Sequence, residues 1–422
     1  MKAFREISYI LVSFRSRNFR LYFGGMCISL LGTWMQQIAM SWLVYNLTGS
    51  VFLLATVTFM AQIPILVVTP FMSVFVDRFD RRRILIFTQT LSMLQALALA
   101  MLTLGGWVEV WHLMLLSLFI GCINALDNPT RQAFYPSLVP KENLSNAIAL
   151  NSAVINGSRL IGPAVGGVLI GIFGEGICFL LNGISYIGVI AALFLMHLPP
   201  FQRRSEHTRM LADIRTGFAY VAGNIPIRTL LLMMSAISFF GLPLMTFIPA
   251  YTKDILGGQS ELLGILLSCI GIGSFSAALY LAARKSVAGL GKVVSIAGVL
   301  LGVSLAALSF TTSPVVAAFL CIPAGFAIIV TVASINTLLQ TLSDEDKRGR
   351  VMGYLAMTFT GISPIGSLTL GAIEKYTGLP AIILLSGICC ACSALLFEHF
   401  RPLVHKHARP VYIRKGIFPE DV

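Results

Sequence analysis

The sequence is short of charge. Lys, Arg, Asp and Glu together make up 11% of its 422 residues, less than half of the roughly 25% usual in soluble domains. A water-facing surface needs far more ionised side chains than that, so an ordinary soluble fold is excluded. Histidine is sparse where chemistry would need it. His112 and His197 stand at the ends of apolar runs, and His207, His399, His405 and His407 lie in polar segments. No His, Asp and Glu cluster stands at ligand or acid/base spacing, which argues against a membrane enzyme. No G-x-x-x-x-G-K-S/T occurs, which argues against direct use of ATP. The eight cysteines fall inside apolar runs without metal spacing beside histidine. They read as small packing residues, with no disulfides, metal or cofactor expected.

What the chain has in abundance is apolar length. Runs at 19–45, 51–76, 84–104, 111–131, 144–172, 176–196, 229–252, 262–283, 292–310, 315–339, 350–373 and 379–398 each approach or exceed the roughly 20 residues that carry a helix across hydrocarbon about 30 Å thick. They are too long for barrel strands. The expectation is an all-α polytopic membrane protein with twelve transmembrane helices. In Met1 to Arg20 the only apolar stretch is Ile7 to Val12, which reads as an uncleaved cytoplasmic leader and not as a signal peptide.

The bases set the orientation. With the N-terminus inside, 27 of the 30 Lys and Arg fall in cytoplasmic segments; Lys253 and Lys375 are outside, and Arg159 lies within a span. Such asymmetry places both termini in the cytoplasm. The formal net charge of +12 therefore faces anionic membrane lipid, and no nucleic-acid partner is expected.

The longest internal polar segment, 199–228, divides an N-terminal bundle of six spans (1–198) from a C-terminal one (229–400), followed by a cytoplasmic tail (401–422). Within it, Met210, Leu211, Ile214, Phe218 and Val221 recur opposite Arg209, Asp213 and Arg215, the pattern of a helix lying on the inner membrane surface. A faint repeat relates the halves. PKENLSNAIALNSAVINGSRLIGP (140–163) and SDEDKRGRVMGYLAMTFTGISP (343–364) both run from a charged loop into a Gly-rich helix. Two six-span repeats with pseudo-two-fold symmetry are a recognised transporter plan, with the substrate near the midplane.

The loop VDRFDRRRIL, Val76 to Leu85, then becomes telling. With Ser73, Val76, Asp77, Arg78, Asp80, Arg81 and Arg82 it resembles the G-x-L-A-D-R-x-G-R-R/K hallmark of the major facilitator superfamily. Asp80 in place of glycine resembles a variant in the drug and siderophore exporter branch. GSRLIGPAVGGVL resembles the span-five motif of facilitators that act as antiporters, with Gly162, Pro163, Gly166 and Gly167 matching. Small residues allow helices to approach closely and proline permits bending, as a rocking helix requires. DNPTRQAFYPSLV, Asp127 to Val139, resembles the branch of the macrolide efflux proteins and the enterobactin exporter.

That resemblance implies a conformational latch of Asp77, Arg78, Arg81, Arg131, Arg348 and Arg350, with Arg131 serving Asp77. It implies a cavity lined by spans one, four, seven and ten, where Gln36, Gln37, Asn124, Phe239, Phe240 and Asn336 are the substrate-binding candidates. Arg159 joins them from the residues themselves. It lies about 15 residues, on the order of 22 Å of helix, from the start of its span, and needs a partner or an aqueous cavity. A structural network with Asp127, Gln36 or Gln37 and a direct contact to an anionic substrate both remain open. Asp127 is the candidate carrier for proton antiport; sodium coupling or none remains open.

The expected function is export of a small amphipathic molecule, such as a drug, siderophore or other metabolite, across a bacterial inner membrane by alternating access. Protons are the expected coupling ion and a monomer the expected state. An uptake carrier and a lipid or lysolipid flippase of the same fold are the alternatives.

Overall fold

In hydrocarbon a backbone has only itself to hydrogen-bond with, so a spanning segment of this kind must be helical. The computed structural model describes residues 12–76, 78–198, 218–284, 286–345 and 347–415, and among them there is no strand. The long helices are α1 (Arg17–Thr48), α2 (Val51–Val76), α3 (Arg81–Leu104), α4 (Val110–Phe134), α5 (Leu144–Phe173) and α6 (Glu175–Leu195), then α7 (Ile225–Ile255), α8 (Ser260–Ala282), α9 (Leu290–Phe310), α10 (Pro314–Leu342), α11 (Arg348–Thr377) and α12 (Leu379–Arg414).

Eleven of these, α2 to α12, are long and apolar enough to cross a membrane. The expected twelfth, α1, has the length, at 32 residues, but falls short in apolarity. Gln36 and Gln37 stand side by side near its middle, among glycines and serines.

Helix starts follow local chemistry. Ser16 caps α1 by accepting from the Phe19 N–H, and Asp80 caps α3 by accepting from the Arg82 N–H at 2.9 Å, each satisfying a donor the first turn leaves open. Two glycines punctuate the halves alike. Gly174 between α5 and α6 has φ +78°, and Gly378 between α11 and α12 has φ +80°. Side chains rarely adopt that backbone region, so glycine is the residue that turns the chain there.

The helices gather into two compact units. The first comprises α1, α3 to α6, α2 from Met60, and the start of α8 as far as Ser268. Its inner face carries Phe19, Tyr22, Met26, Phe134 and Leu193, all buried, and α1 meets α6 where the Gly25 Cα faces Gly188 and Val189 backbone. The second comprises the start of α2 (Ser50–Phe59), α7, the rest of α8, and α9 to α12. In it the end of the polar segment preceding α7 is anchored: the Tyr220 hydroxyl donates to the Asp344 carboxylate at 3.0 Å and accepts from the Asp344 N–H at 3.3 Å. The expected surface helix falls mostly on 199–217, outside the described residues.

α12 runs well past the apolar run that ends at 398. Val404, Ala408 and Tyr412 recur every fourth residue and are buried, so the helix keeps one face against unit two. Arg401 pairs with Glu398 at 2.8 Å. Beyond the helix end, the Lys415 ammonium donates to the Thr341 carbonyl at 2.6 Å, at the C-terminal turn of α10.

Candidate functional site

Unit one carries an unusual quantity of polar side chain inside helices long enough to span a membrane. On α3, Thr88, Gln89, Ser92 and Gln95 recur at helical spacing and all are buried. This stripe organises two networks.

In the first, Asp127 on α4 is 2% exposed. Its Oδ1 accepts from the Thr88 hydroxyl at 2.6 Å and from the Gln89 amide at 2.8 Å. Its Oδ2 accepts from Arg131 Nε at 3.1 Å and Nη2 at 2.5 Å. The two residues are one turn apart on α4, where an aspartate and an arginine four residues on face each other. Arg131 Nη1 also reaches the Met26 sulfur at 2.7 Å. Arg131 thus pairs with Asp127, while its expected latch partner Asp77 lies outside the described residues. Asp127 does not neutralise Arg159.

In the second network Gln36 links three helices. Its Nε2 donates to Gln95 Oε1 at 3.0 Å, and its Oε1 accepts from the Asn182 amide on α6 at 2.7 Å. With the residue 9% exposed, its amide is engaged at both ends within the unit. Gln37 is exposed. Asn124 is half-buried on α4, three residues before Asp127, and so shares its face.

Arg159 on α5 is half-buried, and its guanidinium lies 5.3 Å from the centre of the Trp34 ring on α1. A cation over an indole face is attracted by the ring quadrupole. No acid faces it among the described residues. One turn along, Gly162 packs against the Trp34 Cβ, and a Cβ on Gly162 would meet it at 2.5 Å. Trp34 is thus held at its base by Gly162 and covered at its ring by Arg159.

The glycines of α5 split between two neighbours. Gly166 faces the Met35 Cα on α1, at 3.3 Å from where a Cβ would stand. A Cβ on Gly167 would lie 2.6 Å from the Ser260 carbonyl and 2.8 Å from the Gly264 Cα, at the start of α8. The Gly264 position is equally tight against the Pro163 carbonyl. The motif thus allows backbone-to-backbone contact on two sides of one helix.

In unit two, Phe239 and Phe240 form an edge-to-face pair with centroids 4.8 Å apart. They sit in a π-helical turn, Ile237–Gly241, inside α7. Such turns interrupt regular helices and are frequent at functional sites. The Phe239 carbonyl packs on Gly366 of α11. Asn336 on α10 accepts from Gln340 at 3.2 Å.

Of the latch set, Asp77 lies outside the described residues. Arg78 is exposed. Arg81 donates to the Ala133 carbonyl at 3.1 Å, and Arg348 stands 4.0 Å from Glu345. Arg350 is half-buried. The buried partners Thr88, Gln89, Gln95 and Asn182 went unread in the sequence, although the spacing of the first three along α3 is a visible polar stripe. The π turn leaves no such signal.

Residues 9–412 match the family described as transmembrane secretion effectors, of the major facilitator type. The chain belongs to this family. It is a multi-pass membrane transporter acting on small molecules, and not an enzyme. Among curated relatives, the staphyloferrin A transporter of Staphylococcus aureus is 24% identical over 380 residues, covering 90% of this chain and 95% of that protein. The multidrug efflux pump Tap of Mycolicibacterium fortuitum is 25% identical, covering 82% and 87%. Macrolide efflux protein A of Streptococcus pyogenes is 23% identical, covering 90% and 95%. The fold is that of solved facilitators. The nucleoside transporter NupG superposes with a TM-score of 0.73 at 12% identity, covering 90% of this chain and 98% of that one. A bacterial homologue of the lysosomal transporter Spinster gives 0.64 at 15%, covering 96% of each.

Proposed function

We propose that this transporter exports a small amphipathic molecule bearing an anionic group across a bacterial inner membrane, by alternating access and in exchange for protons. It does so as a monomer with twelve spans, α1 included, as two six-helix bundles, and with both termini in the cytoplasm. The observation that carries the reading is Arg159, a half-buried cation on a glycine-lined helix, stacked on Trp34 and without an acid against it among the described residues. A fixed positive charge in a membrane helix is expensive unless something balances it, and a substrate anion would do so. Relatives named for siderophore, drug and macrolide cargo fit an amphipathic substrate.

In this reading Arg159 and Trp34 take the anionic and apolar parts of the cargo, with Gln37, Asn124, Phe239, Phe240 and Asn336 as further contacts. Gln36 is left out, because Gln95 and Asn182 occupy its amide. Asp127 remains the proton carrier: its protonation would release Arg131 and change the polar stripe of α3. Gly162, Pro163, Gly166 and Gly167 let α5 move against α1 and α8. Asp77, Arg78, Arg81, Arg348 and Arg350 stay as the latch.

The test is an untargeted metabolite comparison of medium and cytosol with wild-type, Arg159→Ala and Lys253→Ala chains. The expected result is an acidic metabolite that accumulates inside with the Arg159 variant and not with the Lys253 variant. Equal export by both ends the Arg159 reading. Export by everted vesicles that survives collapse of the proton gradient ends the antiport reading.

A further inference from the structure

Away from the polar stripe and α5, unit two encloses a cavity of about 350 Å³ between the first turn of α9, the end of α10 and the extended end of α12. That volume lies within the roughly 300 to 1,000 Å³ of small-molecule sites. Its composition is divided. Leu338, Phe397 and Val404 give it apolar lining, and Lys292, Arg401 and His405 give it basic lining. Lys292 is exposed and makes no hydrogen bond or ion pair among the described residues. Arg401 is balanced at one end by Glu398 at 2.8 Å, but its Nε is buried without a hydrogen-bond partner. The Gly289 and Gly291 backbone also lines the cavity, and α9 starts there with no side chain capping it. The open N–H groups of a first turn favour an anion.

The place of the cavity narrows the ligand. It borders the basic loop 283–292 and the point where α12 leaves its apolar run, the depth of lipid headgroups if that loop is cytoplasmic. The inference rests on that orientation. A free phosphate would engage the bases and leave the apolar lining wet, whereas a phospholipid engages both kinds of lining residue, its phosphate with the bases and its glycerol and upper acyl chain with Leu338, Phe397 and Val404. We propose that this cavity is a binding site for the phosphate headgroup of an anionic phospholipid of the cytoplasmic leaflet, held by Lys292, Arg401 and the N-terminus of α9. Basic pockets between membrane helices on that side recognise such headgroups by the same chemistry.

The experiment is native mass spectrometry of the purified full chain in detergent, titrated with phosphatidylglycerol, phosphatidylcholine or inorganic phosphate. It is run on the wild type, Lys292→Gln and Lys406→Gln. Lys406 is exposed on α12 and does not line the cavity. The expected result is a phosphatidylglycerol adduct favoured over phosphatidylcholine, weakened about fivefold by Lys292→Gln, the worth of one base near an anionic surface, and unchanged by Lys406→Gln. Equal weakening by both variants, or equal binding of the two lipids, overturns the site. Saturable displacement of the lipid by inorganic phosphate at equal concentration overturns the lipid as its occupant. Thermal unfolding without lipid checks that each variant is folded, and because nothing in the measurement requires transport, its failure is separable from failure of the export reading.

Discussion

Replacing Asp127 by Asn tests the ion pair at the heart of unit one. The substitution keeps the shape and keeps an oxygen for Thr88 and Gln89 to donate to, at 2.6 and 2.8 Å in the native chain. It removes the charge facing Arg131 and turns an N–H₂ group toward a guanidinium that can only donate. Breaking one side of a buried pair leaves the other charge uncompensated, at about 3–5 kcal/mol. Here the Arg131 side chain retains 23% exposure, so water offsets part of the loss and the low end, about 3 kcal/mol, applies. In thermal unfolding of the detergent-solubilised protein this should appear as a fall in Tm on the order of 5 °C. The double variant Asp127→Asn/Arg131→Gln restores a neutral amide pair and should recover about 2 kcal/mol, a non-additivity expected of contacting residues. It should nevertheless lose proton-driven export, because no group remains to carry the proton. A single variant as stable as the parent, or a double variant no better than the single, would refute the pairing. A stable double variant with unaltered proton dependence would remove Asp127 from coupling while leaving its structural part intact.

Three further expectations follow from contacts elsewhere. Gly167→Leu places a side chain 2.6 Å from the Ser260 carbonyl and 2.8 Å from the Gly264 Cα, both backbone atoms, so overpacking of about 1–3 kcal/mol should cut export roughly tenfold; undiminished flux would show that α5 and α8 need not touch. Gln95→Leu leaves the buried Gln36 amide without its acceptor and should lower stability by about 1–3 kcal/mol, read by thermal unfolding, while Gln37→Leu, at an exposed position, should change it little. Tyr220→Phe deletes the hydroxyl that holds Asp344, a change of about 1 kcal/mol, and hydrogen exchange at the Asp344 amide should quicken; unchanged protection would mean that this contact does not anchor the segment before α7.

The two arginines show how far a sequence can carry a site. Arg159 was legible as a problem, since a cation deep in an apolar run needs an explanation whatever surrounds it. Its neighbour was not, because Trp34 and Arg159 are 125 residues apart and meet only where Gly162 lets α1 come close. Arg131 shows the reverse case. The loop resemblance drew it toward Asp77, while the simpler rule that residues four apart on a helix share a face already pointed to Asp127. Gln36 looked like a cavity amide because a glutamine in a span has to bond to something, and only the packing of α1, α3 and α6 showed that Gln95 and Asn182 are that something.

By itself the sequence determined what depends on local chemistry and on the solvent: helices of spanning length, the bias of the bases, and the motifs that mark a facilitator. Hydrocarbon admits few backbone solutions, so composition and run length nearly suffice there. Tertiary structure alone decided which polar groups find one another, that α7 contains π turns, and that α12 continues to Arg414 with Val404, Ala408 and Tyr412 against the body. Such choices turn on gains and losses of a few kcal/mol between side chains distant in the chain, and they are settled only when the helices lie together and each buried donor must find its acceptor.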